Sequence, residues 1–229
     1  MMLMSNIGIG WRICLLSALI LVLNGCTTNP TPEKTSQDMV ENAADPTPAD
    51  NLPELVANLS SEDPRVRFVS AYALEQYGKE AEIAIPALID NLNYGGYSDV
   101  RRSAAVALGK LGPAAREGVP ELMTVVQDAQ EAVAVRVDAI DALGKIGEES
   151  AVPALVTLLF DDKDNKHSTD ELMLFSARSI AKITGEKFTD SDTQSFVYGA
   201  NAEGIPLIVL DARKWWEEEG QFIDWNGKQ

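Results

Sequence analysis

The chain has 229 residues, 45% of them hydrophobic, and 35 acidic against 19 basic side chains give it a formal net charge of −16. That balance argues against nucleic acid and anionic headgroups as partners, because phosphate binding needs a basic patch and no segment supplies one. One histidine and two cysteines exclude His-rich metal centres and a disulfide framework.

The N-terminal 25 residues hold one charge, Arg12, followed by an apolar run from Ile13 to Leu23. A bilayer span takes about 20 residues, whereas a basic start with a shorter apolar centre predicts a secretory signal over 1–25. The text Leu23-Asn24-Gly25-Cys26 resembles a bacterial lipobox, which implies cleavage before Cys26 and lipidation of its thiol. The competing reading is an ordinary secretory peptide with an incidental cysteine. Cys14 would leave with the signal, so Cys26 would have no partner for an internal disulfide and makes sense as an anchor. Thr27 follows it, which in a cell with two membranes implies the outer membrane, facing the periplasm; with one membrane, the outer face of that membrane. Residues 26–50 are rich in Thr, Pro, Ser, Asn and acidic groups and predict a flexible tether, with a span of about 25–30 Å.

A repeat follows. Pro53, Pro86, Pro120 and Pro153 stand 33, 34 and 33 residues apart, each just after Leu, Ile or Val. Proline suits the first helical turn, where its missing N–H costs nothing. Apolar residues then recur at helical spacing: Leu55, Val56 and Leu59 in the first unit, with counterparts in the other three. A second helical pattern starts at Val66, Val100, Val135 and Leu172. Counting from these, offsets 4, 7, 8 and 11 turn inward, with small residues such as Ala104 and Ala107 beside large ones such as Leu108. Tyr77, Leu111 and Ile146 close the pattern, and Gly78, Gly112 and Gly147 are the expected stops. The fourth unit departs, with Thr184 before Gly185.

The Val-Arg and Ala-rich text of Arg101 to Gly112 and Arg136 to Gly147, ending Ala-Leu-Gly-Lys-Leu/Ile-Gly, resembles the HEAT repeat. The variety it is most similar to is the short bacterial kind also found in phycobilin lyases. The resemblance covers 51–185, divided as 51–82, 83–117, 118–150 and 151–185, and implies an all-α, right-handed α-solenoid of four helix pairs, an armadillo-like architecture. It implies that Arg67, Arg101 and Arg136 form a ladder between units, with Asp63 and Asp99 as partners of the first two. Met173 stands at the fourth position, where the ladder is expected to fail. It also places the second helices on the concave side, and a 100° step then exposes Phe68, Tyr72, Arg102, Val106, Val137, Asp141, Leu174 and Arg178 as a candidate partner-binding face. Cover by neighbouring units or tail residues is the alternative for that face.

Residues 186–229 leave the repeat. Asp211-Ala-Arg-Lys-Trp-Trp-Glu resembles a helix that ends bacterial HEAT proteins, which implies a C-terminal helical cap; an aromatic binding patch of Trp215, Trp216 and Trp225 is the other reading. His167 lies in an acidic stretch, Phe160 to Glu171, expected to be an elongated turn. Asp162, Asp164 and His167 there do not match a calcium loop, which needs a ligand at Lys166 and a glycine bend. Among HEAT enzymes, di-iron hydroxylases need several histidines, and no nucleophile or phosphate-binding motif is present. The expectation is therefore a non-enzymatic, lipid-anchored scaffold of the cell envelope that binds a protein partner, without cofactor, metal or small-molecule substrate. The alternatives are an accessory or assembly factor of an enzyme complex, or a phycobilin-lyase-like protein.

Overall fold

A computed structural model describes residues 51–160, 166–188 and 205–225, all within one compact unit, Pro46–Gln229. The predicted signal, Cys26, the tether, and Asp162 and Asp164 lie outside the described residues.

Among the described residues there are nine α-helices: α1 (Leu52–Asn58), α2 (Pro64–Leu74), α3 (Ile85–Leu92), α4 (Ser98–Leu111), α5 (Val119–Gln127), α6 (Val133–Ile146), α7 (Val152–Leu159), α8 (Lys166–Thr184) and α9 (Leu207–Glu218). The first eight form four antiparallel pairs stacked in chain order. The second helices α2, α4, α6 and α8 pack each on the next, and α3, α5 and α7 make a parallel layer behind them. The fold is an α-solenoid, as the period predicts.

Local chemistry explains the elements. Pro53, Pro86, Pro120 and Pro153 sit in the first turns of α1, α3, α5 and α7. Leu88, Leu122 and Leu155 follow at 0% exposure, each burial stabilising by about 1.5–3 kcal/mol. Gly112 and Gly147 end α4 and α6 at φ of 60° and 77°, a region that side chains with a Cβ disfavour. Helix α2 stops earlier than expected, at Leu74, because its last turn tightens into i→i+3 bonds from Gln76 and Tyr77. The acidic stretch is also shorter than an elongated turn, since α8 begins at Lys166 and His167 is helical.

The predicted inward offsets are buried except Ala73 and Ile183, which are half-buried, and the inward face is wider than one stripe. Ala71, Ala105, Ile140 and Ala177, at offset 5, are also 0% exposed. Each inner second helix touches its own first helix and a second helix on either side, so more of its circumference is enclosed. The contact is closest at two glycines. A Cβ on Gly109 would lie 3.0 Å from Ala142 Cα, and one on Gly144 would lie 2.5 Å from Ser179 Oγ and 2.8 Å from Ser179 Cβ.

The arginine ladder forms with other partners than the predicted ones. Arg67 donates to the Ser61 carbonyl at 2.5 Å and to Asn91 Oδ1 in the next unit at 2.6 Å. Asp63 instead caps α2, accepting from the Arg65 amide at 2.9 Å. Arg101 donates to the Tyr94 carbonyl at 2.9 Å and grips both oxygens of Glu131, in the following unit, at 2.5 and 2.8 Å. Asp99 lies in the first turn of α4, where a carboxylate suits the helix dipole. The planar guanidinium selects Glu131 because that carboxylate can be met by two parallel N–H groups. Buried Arg136 donates to the Val126 carbonyl at 2.9 Å.

At the fourth rung Met173 is buried and contributes no cation. The rung is nevertheless made, from outside the repeats. Arg213 of α9 donates to the Leu159 carbonyl at 2.5 Å, lies 3.6 Å from Met173 Sδ, and places its guanidinium 5.4 Å from the Phe160 ring centroid. Helix α9 packs on α7 and α8 and so closes the C-terminal end. The tryptophans belong to this cap rather than to an open patch: Trp215 and Trp225 are 8% exposed, with ring centroids 6.0 Å apart, and Trp216 stacks on Trp225 at 6.3 Å. Gly220 is required beneath them, since a Cβ would come within 2.8 Å of Trp216 and 2.9 Å of Trp215. Replacing Arg213 by Ala removes a donor to the carbonyl of a fully buried residue, Leu159, and is expected to cost about 1–3 kcal/mol in urea unfolding, with Arg213→Lys costing less.

Candidate functional site

The surface formed by α2, α4, α6 and α8 falls into three parts. At its N-terminal part Phe68 and Tyr72 are 39% and 55% exposed and stack at 6.5 Å with ring planes 22° apart. They stand four residues apart on α2, which puts both rings on one side of the helix. Neighbouring Val69 is 41% exposed and extends the apolar area.

The middle part is an ion-pair lattice. Arg102 on α4 meets Asp138 on α6 at 2.8 Å. Asp141 receives Lys145 of its own helix at 2.6 Å and Lys182 of α8 at 3.1 Å. Burial alone would raise the Asp141 pKa, but the hydrogen bonds from Lys145 and Lys182, with the charges of both lysines, outweigh it and hold the carboxyl below its ordinary value. Glu75 shows the opposite balance: burial raises its pKa, although Lys110 and Lys145 pull it down. At the turn edge, the hydrogen bond from Arg101 keeps Glu131 low against the effect of burial. Val106 and Val137 are half-buried between these groups.

The third part corrects the sequence expectation. Leu174 is buried, 7% exposed, and joins the core. It occupies the position of Arg102 and Val137, and Arg102 reaches toward the following unit. Among the described residues no fifth helix pair follows α8, and α9 packs on it. Arg178 is half-buried. The candidate face is thus apolar at α2, charged and paired across α4 and α6, and partly closed at α8. The lysines at offset 10 (Lys110, Lys145, Lys182) were the legible signal for the lattice, through their repeat and the Asp141–Lys145 spacing. Among the described residues no group of three or more His, Cys, Asp or Glu side chains could hold a metal ion, and no helix is long and apolar enough to cross a membrane.

Stacked helix pairs presenting one long ordered surface define a helical-repeat protein. The chain belongs to the HEAT-repeat family: the family pattern matches residues 32–109 and 85–169, reaching upstream of Asn51. It is 36% identical over 133 residues to the phycocyanobilin lyase subunit alpha of Nostoc sp. (strain PCC 7120), a match covering 53% of this chain and 46% of that protein. The chain therefore spans about half the length of that curated relative. The solved complex of CpcE and CpcF of phycocyanin lyase from Nostoc sp. PCC7120 contains a similar chain, at 26% identity and a TM-score of 0.48, covering 69% of this chain and 71% of that one.

Because the folded pKa of Asp141 lies below its ordinary value of 3.8, its contribution is present at neutral pH and is lost as pH falls through that depressed value. Asp141→Asn is expected to lower stability at pH 7 by about 0.5–1 kcal/mol, after screening of these half-exposed lysines, and the gap to the parent should vanish in acid melting curves well below pH 3.8.

Proposed function

We propose that this chain is a binding subunit of the phycobilin-lyase kind, whose second-helix surface holds a protein partner while that partner receives or gives up a bilin. The observation that carries this reading is the 36% identity over 133 residues, 53% of this chain, to a phycocyanobilin lyase subunit. The character of the surface supports it. An exposed aromatic pair flanked by ordered ion pairs suits recognition of another protein. The chain's share is positioning, and the bilin is brought by another component. A photo-crosslinker at Tyr72 or Val137 in intact cells is expected to capture one partner protein, and phycocyanobilin added to the purified pair should show a changed visible spectrum that the chain alone does not produce. Absence of capture at both positions would remove the surface from the proposal; an unchanged spectrum with capture intact would leave a scaffold without a bilin role.

A second reading concerns location and rests on the lipobox-like Leu23-Asn24-Gly25-Cys26 behind an apolar run. Lipidation at Cys26 would tether the repeats outside the cytoplasmic membrane, with no need for a basic surface. Cys26→Ser is then expected to move the protein from the membrane to the soluble fraction; unchanged retention on membranes rejects the anchor.

A further inference from the structure

No segment of the sequence is basic, yet the fold gathers cations on one surface. From offset 2 to offset 10 the second helices carry Arg102, Lys110, Lys145, Arg178 and Lys182. The carboxylates over the same span are Glu75, Asp138 and Asp141. Positive charge therefore prevails there, in a chain of 35 acidic and 19 basic residues. Three of the cations form a row, because offset 10 is lysine on α4, α6 and α8. The stem of Lys145 crosses toward α4 through the room that Gly109 leaves, its Cδ 3.4 Å from where a Cβ on that glycine would stand. Lys110 follows Gly109 in the chain, and both lysines pull down the pKa of Glu75, which puts them along one edge. Lys145 and Lys182 are joined through Asp141, at 2.6 and 3.1 Å.

The row turns its ammonium groups outward. Asp141 serves two lysines and is 29% exposed, whereas Lys145 and Lys182 are 38% and 49% exposed. Lys110 is exposed and, among the described residues, has no carboxylate within ion-pair distance. It can meet a ligand's anion without first giving up a partner.

We propose that this row docks an acidic segment of a protein partner, its carboxylates lying over Lys110, Lys145 and Lys182; the inference rests on the reading of the second-helix surface as a partner site. Length selects the occupant. Helices in contact stand about 8–10 Å apart, so a row over three of them is about 16–20 Å long, which exceeds a small anion and equals about five or six residues of extended chain. Charge narrows it further. A nucleic acid or an anionic membrane sets a long line of charge against the acidic remainder of the chain, whereas a short acidic segment meets the row alone.

Fluorescence anisotropy on the full-length chain at low salt tests this, with a short labelled peptide of alternating Glu and Ser as the probe and its Gln and Ser counterpart as the comparison. Saturable binding of the Glu peptide alone is expected, weakened at least about fivefold by Lys110→Glu. Lys110→Arg, which keeps the charge, is expected to bind as the parent does, so that a loss in Lys110→Glu is not a disturbance of α4. Arg65→Glu makes the same change of net charge at an exposed residue in the first turn of α2, far along the helix from offset 10, and is expected to leave binding unaltered. Absence of binding, equal binding of the Gln peptide, or equal losses in Lys110→Glu and Arg65→Glu overturns the proposal. Its failure is separable from failure of the surface: if a crosslinker at Val137 captures a partner and Lys110→Glu leaves that capture undiminished, acidic docking falls while the partner site stands.

Discussion

Close approach of consecutive second helices is the constraint on which the rest of the solenoid depends. A helix pair of this size cannot cover its own apolar side, so it must be sealed by a neighbour. Sealing works only where the facing helices present almost no side chain. Gly144 above Ser179 and Gly109 above Ala142 meet that condition; even a methyl group at either would sit 3.0 Å or less from backbone carbon. A wedge there would part the layer and reopen the leucines behind it. Ser179 adds direction to the contact by donating its hydroxyl to the Ile140 carbonyl at 2.9 Å, a bond available only at this separation. The first interface is built differently, with Glu75 in the place of those glycines, and its raised pKa records a carboxyl partly enclosed without a matching cation bonded to it.

Given that spacing, two sets of polar contacts fix the angle between units from opposite sides. The arginine rungs cross the turn edge, donating to carbonyls in the last turn of a first helix (Val126, Leu159) or in the turn just after it (Ser61, Tyr94), where backbone acceptors lack a partner within the helix. The Arg102–Asp138 and Asp141–Lys182 pairs cross the other edge of the second helices. A rung is thus a capping device first and a tie between units second. That explains why the fourth unit, having Met173 in place of the arginine, recruits Arg213 from the cap: the Leu159 carbonyl needs a donor whichever segment supplies it.

The periodic features of the fold were legible because they follow from backbone rules that act over a few residues. Pro53 and its counterparts announce helix starts, Gly112 and Gly147 announce stops, and the alternation of Ala107 with Leu108 announces an inward stripe. The misread side-chain contacts involve partners distant in sequence. Glu131 lies 30 residues from Arg101, and Arg213 lies 54 from Leu159, so no local pattern distinguishes them from other charged residues. Asp63 and Asp99 were attractive as partners because they are near in sequence, but nearness to a helix start gives an aspartate a competing role at the helix N-terminus. On the candidate face, Phe68 and Tyr72 were placed correctly by the helical step alone. Leu174 was not, because the step describes one helix and says nothing of what packs against it.

The division of that face has an energetic consequence for any partner laid along it. To use Arg102 or Asp141 for recognition, a ligand must break contacts already made within the protein and desolvate both members of a pair, so the net gain from each is small. Phe68 and Tyr72 have no such prior obligation to a polar group and are already stacked on each other, which reduces the side-chain freedom lost when a partner covers them. For a partner laid along this face, affinity would be concentrated at α2, while the lattice on α4 and α6 would add rigidity and reject partners whose charges oppose its fixed order.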